Sequence, residues 1–186
     1  MPKPSTRRPG RPLHPGDARR LLAASRTPQD AALVVLLWRA GLRAAEACGL
    51  EQADVAELEG GALRLHVRHG KGDRARFVGL DAASAAYLAP LRTEACGPLL
   101  RTAAGRALHV SQTRRTLRAL ARRAGIAGRV HPHALRHTYA RELHDEGFSV
   151  RAIQVALGHS TLATTQTYLE SIGCADVVDE TTRRAF

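Results

Sequence analysis

Residues 27–41, TPQDAALVVLLWRAG, constrain the fold of this chain more than any other stretch. Thr27 suits a helix N-cap, Pro28 the first helical position, where a missing amide costs nothing, and Gly41 a stop. Between them, residues 31–38 carry no polar side chain. A helix that is apolar nearly all round has no face to offer water, so it belongs at the centre of a core with other elements packed around it. The run is also far short of the roughly 20 apolar residues that a membrane span requires. With 186 residues and 44% hydrophobic content, the chain can build one sizeable core.

The flanking segments supply the shell. In HPGDARRLLAAS, residues 14–25, Leu21 and Leu22 fall on one side of a short helix, and RAAEACGL makes another that ends at Gly49. The period then changes: Leu63, Leu65 and Val67 alternate with Arg64, His66 and Arg68, and a Gly-Lys-Gly-Asp turn follows. That pattern predicts a β-hairpin with one buried face. Residues 81–89 read as helical and residues 97–109 as loop. A helix with Ser111 as N-cap follows, then one from Pro132 to Glu146 stopped by Gly147, one capped by Ser149 and stopped by Gly158, and one starting near Ser160 that carries Tyr168. The expected class is mainly α, with a small antiparallel β-sheet.

Charge points to the partner. The formal net charge is +11, and most of the 28 Lys+Arg residues are Arg, whose planar fork matches phosphate oxygens. Arg114, Arg115, Arg118 and Arg122 cover one broad face of the helix at 111–123, while Leu117, Leu120 and Ala124 can pack inward. No acid interleaves over residues 111–129, which favours phosphate contact over a merely solvated face. Residues 1–12, MPKPSTRRPGRP, are basic and Pro-rich and read as a flexible arm able to touch phosphate. The three cysteines, Cys48, Cys96 and Cys174, show no CxxC spacing and read as packing residues of a cytoplasmic protein. No signal peptide precedes them.

The most concentrated chemistry lies in HPHALRHTYARELHDEG, residues 131–147. His133 and His137 are four apart and could share a metal ion, but Arg136 on the same face would repel it and no third ligand is in sight. No metal and no cofactor are therefore expected. His133 and Arg136, three apart, offer one proton-transfer group and one fixed positive fork, which suits acid–base chemistry on an anion. His137 reads as a structural histidine bonded to backbone. Tyr87 and Tyr139 read as half-buried helix tyrosines.

The stretch HPHALRHTYARELHDEGFSVRAIQVALGHSTLATTQTYL resembles the C-terminal signature of the tyrosine recombinase (phage integrase) family. Its HxLRH segment corresponds to His133 and Arg136, its LGH ends at His159, and its tyrosine, nine residues later, is Tyr168. GLRAAEACGLEQADV looks like the family's first-arginine box, with Arg43 in the active site and Glu46 beside it, and HGKGDRARFVGL is similar to its β-hairpin, with Lys71 at the turn. Each piece alone is weak; together they run in order from about Leu13 to Leu169.

The resemblance implies a DNA breaking–rejoining enzyme-like fold and strand transfer without metal or ATP. Arg43 and Arg136 would clamp the phosphate, His159 add a donor, Tyr168 attack, His133 take its proton and Lys71 protonate the leaving 5′-oxygen. Glu46 would orient a neighbour, and Arg74 on the hairpin would join Arg114, Arg115, Arg118 and Arg122 on DNA. The expected partners are double-stranded DNA, further copies in a tetramer on that DNA, joined by the tail at 170–186, and an accessory protein for specificity; no membrane is involved. The expected layout is the arm, residues 1–12, then a catalytic domain over 13–186, without the family's usual N-terminal clamp domain. Two competitors use the same residues: a relaxing topoisomerase of similar chemistry, and a DNA-binding regulator that does not cut.

Overall fold

The computed structural model describes residues 13–68 and 75–158. Lys71, Arg74, His159, Tyr168, Cys174, the arm at 1–12, the helix expected near Ser160 and the tail at 170–186 lie outside the described residues. Those described form helices α1 (Pro15–Ala23), α2 (Pro28–Trp38), α3 (Ala44–Gly49), α4 (Ala82–Ala85), α5 (Val110–Arg123), α6 (Pro132–Asp145) and α7 (Val150–Leu157). Strands β1 (Val55–Glu57), β2 (Leu63–Val67) and β3 (Arg76–Leu80) stand between α3 and α4.

Helix α2 is the axis, as its composition requires. Thr27 caps it by accepting from the Asp30 amide at 3.1 Å, and every residue from 32 to 38 is buried. Helices α1, α3, α5 and α6 pack against it. It ends at Trp38 rather than running to Gly41, and the Trp38 indole N–H donates to Glu142 of α6 at 3.0 Å. Gly41 then turns the chain at φ 62° with the Tyr139 ring pressed against it; a Cβ there would stand 2.2 Å from a ring carbon. That contact seats α6 beside the α2–α3 corner, and Tyr139 is half-buried as expected.

The hairpin is antiparallel with Leu65 opposite Val78, so Leu63, Leu65, Val67, Val78 and Leu80 all face the core. Strand β1 adds a third member, pairing Val55 with Leu65; at three residues it is too short for alternation to reveal. On the outer face Phe77 is exposed, stacked on His66 at 5.0 Å and under the Arg64 guanidinium at 5.1 Å.

Four local expectations need correction. Helix α5 is capped by His109, not Ser111: the His109 Nδ1 accepts from the Ser111 amide at 3.2 Å, so the helix starts at Val110. The helical segment at 81–89 reduces to the single turn of α4, after which Tyr87 and Leu88 donate to the carbonyls three residues back, and a 3₁₀ turn follows at Ala89–Leu91. Tyr87 falls after α4 and is exposed. Cys96 is exposed, whereas Cys48 is buried and burial pushes its thiol up to about 11. Where cap chemistry is explicit the boundaries hold: His131 caps α6 through Nδ1, Ser149 caps α7, and Gly158 closes α7 at φ 64°.

Candidate active site

A cleft of about 660 Å³ opens between the start of α3, the outer side of α5 and the N-terminus of α6. Arg43 and Ala44 line it from α3, Arg114 and Arg118 from α5, Arg129 and Val130 from the connection, and His131, His133 and His137 from α6. Among the described residues no acidic side chain is in that lining, which carries four arginines and three histidines. Neither Arg114 nor Arg118 forms an ion pair among the described residues, and Arg118 also borders a second groove shared with Arg115, Arg122 and Arg129.

The histidines respond to that field. The His133 pKa lies below the ordinary histidine value because of burial first, then the charges of Arg136, His131, Arg43 and Arg114. His131 is lowered by burial and by Arg129 and Arg114, and its ring centroid lies 6.5 Å from that of His133. A histidine kept neutral among fixed cations is a ready proton acceptor.

Below the cleft floor lies a knot of buried charge centred on Glu46, whose side chain is only 6% exposed. Its Oε1 accepts from Arg43 Nη1 at 2.8 Å and from Arg76 Nη1 at 3.0 Å; its Oε2 accepts from the Arg43 amide at 2.8 Å and from Arg76 Nη2 at 2.8 Å. Arg136 Nη1 approaches the same Oε2 at 3.7 Å. Burial alone would raise this carboxyl, but the bonds from Arg76 and the Arg43 amide and the charges of Arg76 and Arg136 hold it at about 2. Arg136 is buried and donates to the Gly41 and Leu157 carbonyls, while Arg43 Nη2 reaches the Gly158 carbonyl at 3.3 Å.

The match to the phage integrase family covers residues 11–172. The chain belongs to that family. It is 34% identical to a tyrosine recombinase XerC of Brucella suis over 94% of this chain and 60% of the relative. Identity to the XerC of Rhodospirillum centenum is 40%, over 90% of this chain and 52% of the relative. The chain thus spans a little over half the length of the curated relatives it matches. Among solved structures, XerA recombinase superposes with a TM-score of 0.76 at 29% identity, covering 96% of this chain and 68% of that one. The catalytic domain of bacteriophage HP1 integrase superposes with a TM-score of 0.64 at 25% identity, covering 86% and 87%.

Within this family member, the described part of the expected site divides between two levels. Arg43 and His133 meet at the cleft with Arg114 and Arg118; Arg136 and Glu46 lie beneath it, outside its lining. Arg115 and Arg122 face the neighbouring groove instead. Three contributors were not singled out from the sequence: His131 and Arg129 in the cleft, and Arg76 under it. Arg76 left a trace, since it shares the inward parity of Val78 and Leu80 on β3, where a strand normally carries apolar residues.

Proposed function

We propose that this chain cleaves and rejoins DNA strands through a 3′-phosphotyrosyl intermediate on Tyr168, in the service of site-specific recombination. The observation that carries the reading is the convergence of Arg43, Arg114 and Arg118 with His133, whose pKa is held below the ordinary value, on one cleft with no acid among its described lining residues. Phosphoryl transfer concentrates negative charge on the non-bridging oxygens, and fixed donors aimed at that charge supply the largest catalytic contribution. Arg43 holds one such oxygen, with His159 adding a donor. Arg136, tied to two carbonyls, supplies its charge from beneath the floor. A cleft lined by Arg and His disfavours a divalent cation, so the cations are side chains.

The step balances without a co-substrate. The Tyr168 hydroxyl oxygen attacks phosphorus and its proton passes to His133. The bond from phosphorus to the 5′-oxygen breaks, and Lys71 on the hairpin gives that oxygen a proton. The phosphodiester is exchanged for a phosphotyrosyl ester of similar energy, so rejoining runs the same path backward without ATP. The partner is double-stranded DNA, contacted by Arg74, Arg114, Arg115, Arg118, Arg122 and the arm at 1–12. Synapsis requires four copies, with residues 170–186 docking on a neighbouring protomer and an accessory protein or further domain supplying sequence discrimination. The compartment is the cytoplasm, at the nucleoid; no described helix is long and apolar enough to cross a membrane.

Incubating the chain with a randomised pool of nicked duplexes tests the reading. An SDS-resistant adduct should form with EDTA present, and Tyr168→Phe should retain DNA but form no adduct. Adduct formation by the Phe variant, or strict Mg²⁺ dependence, overturns the assignment.

A further inference from the structure

We infer that Arg76 is a positioning residue: its guanidinium is the buttress that sets the hairpin, the first-arginine corner and the end of α7 in register beneath the active cleft. The inference rests on the proposed strand-cleavage reading and extends it to a residue that contacts no substrate.

Three independent attachments leave one side chain. Nη1 and Nη2 donate to the two oxygens of Glu46 at 3.0 and 2.8 Å, a bidentate fork in a site where Arg76 is 8% exposed. Nε donates to the Ala156 carbonyl at 3.1 Å, in the last turn of α7. The flat of the group lies against Gly158, where a Cβ would meet Arg76 Nη1 at 2.7 Å and Cδ at 2.9 Å. Gly158 at φ 64° is thus required twice, for the left-handed helix exit and for the approach of Arg76.

The attachments lead to two proposed catalytic groups, and the strand that Arg76 opens leads to a third. Glu46 fixes the Arg43 backbone and guanidinium, so the fork on Glu46 sets where Arg43 stands in the cleft. The bond to Ala156 and the contact at Gly158 fix the chain immediately before His159. Arg76 itself opens β3, five residues after Lys71 in the chain. Glu46 lies 30 residues before Arg76 and Ala156 lies 80 after it, so the pair joins segments that share no local structure. Placement errors of about 1 Å in catalytic groups cost on the order of a hundredfold in rate. Lysine cannot replace this arginine, because a single ammonium cannot grip both carboxylate oxygens in a fork and also reach the Ala156 carbonyl.

The test uses the full chain and the duplex that wild type captures most efficiently from the randomised nicked pool. Arg76→Lys should fold and bind that duplex with near-wild-type affinity, yet cleave it about a hundredfold more slowly in single turnover. Arg76→Met should also melt earlier, since it strands a buried carboxylate. Pairing it with Glu46→Met should restore melting but not rate. Wild-type cleavage by Arg76→Lys, or rate recovery in the double variant, would show that the pair merely balances charge and overturn the proposal. If wild type forms no adduct on any duplex, the cleavage reading itself fails. The buttress is then judged by amide exchange at residues 76–80 and Gly158, which should quicken in Arg76→Lys; unchanged exchange overturns it.

Discussion

The arginines of α5 and those beneath α3 are the same residue in the same small protein, yet they do opposite work. Arg114, Arg115, Arg118 and Arg122 are exposed and form no ion pair among the described residues. Arg76 and Arg136 are buried, and their forks are taken up by Glu46 and by the carbonyls of Gly41, Ala156 and Leu157. Arg43 belongs to both sets: it is bonded to Glu46 below, and with its side chain 30% exposed it faces the cleft above. What separates the two sets is whether an acid or a helix-end carbonyl lies within reach. Where one does, the guanidinium is a fastener; where none does, its charge is left for an anion that arrives from outside.

That division predicts unequal costs. Arg136→Ala strands the buried Gly41 and Leu157 carbonyls and removes a cation from Glu46, and should destabilise the fold by about 3–5 kcal/mol, as breakage of buried charge pairs does. Arg118→Ala should change stability by less than about 0.5 kcal/mol, as for surface sites without partners. Thermal melts followed by circular dichroism check both; similar losses for the two variants would erase the distinction.

Acid should expose the knot more gradually. The Glu46 carboxyl is held at about 2 against an ordinary 4.5, so its stabilisation is complete above pH 4.5 and is lost as pH falls from there towards 2. The amount at stake is on the order of 3 kcal/mol. Glu46→Gln should be less stable than wild type at pH 7, and the gap should close in acid. A gap that stays constant with pH would mean that the carboxylate charge contributes nothing.

The two regions were unequally legible in the sequence, for a physical reason. The α5 face declares itself locally: basic residues recur at helical spacing with no acid among them, and Leu117 and Leu120 mark the opposite side. Thr27, Ser149 and Gly158 are likewise local signals, and each does what its chemistry predicts. His109 took the cap expected of Ser111 because its Nδ1 accepts from the Ser111 amide, which starts the helix two residues earlier than a Ser111 cap would. Apart from the local Arg43–Glu46 pair, the knot is held by contacts such as those 30, 80 and 95 residues apart, and no periodicity carries that information. Arg136 was legible from its helical spacing to His133, but Arg43 and Glu46 were named only because the motif order resembled a known family. Arg76, outside that motif set, stayed hidden.

The field across the boundary can be read by kinetics. In its proposed role His133 takes a proton only when unprotonated, so cleavage should rise with pH through its pKa and then level. Because burial and the surrounding charges hold that pKa down, the midpoint of the rise should fall below the ordinary histidine value of about 6.5. Arg114→Ala removes one of those charges from the open side and should slide the rising limb upward. Single-turnover rates between pH 5 and 8, about where histidines titrate, decide this. A limb that stays in place would show that the exposed set does not reach the base.

The smallest effect separates the exposed arginines from one another. Arg122 lies on the second groove and not on the cleft, whereas Arg114 lines the cleft. If Arg122 meets a DNA phosphate away from the reacting one, its loss removes one released counterion. The slope of log affinity against log salt should then flatten by about 0.9, equally for every duplex sequence, because a phosphate contact carries no base information. Cleavage by Arg122→Ala at saturating DNA should match wild type, since nothing in the cleft has moved. Arg114→Ala should flatten the slope by a similar amount and also slow the bound complex. Filter binding from 50 to 200 mM salt, paired with single-turnover cleavage at saturation, measures both quantities over the range where such contacts dominate. A rate defect in Arg122→Ala would join the second groove to the active cleft as one surface, and an unchanged salt slope would remove Arg122 from the DNA interface.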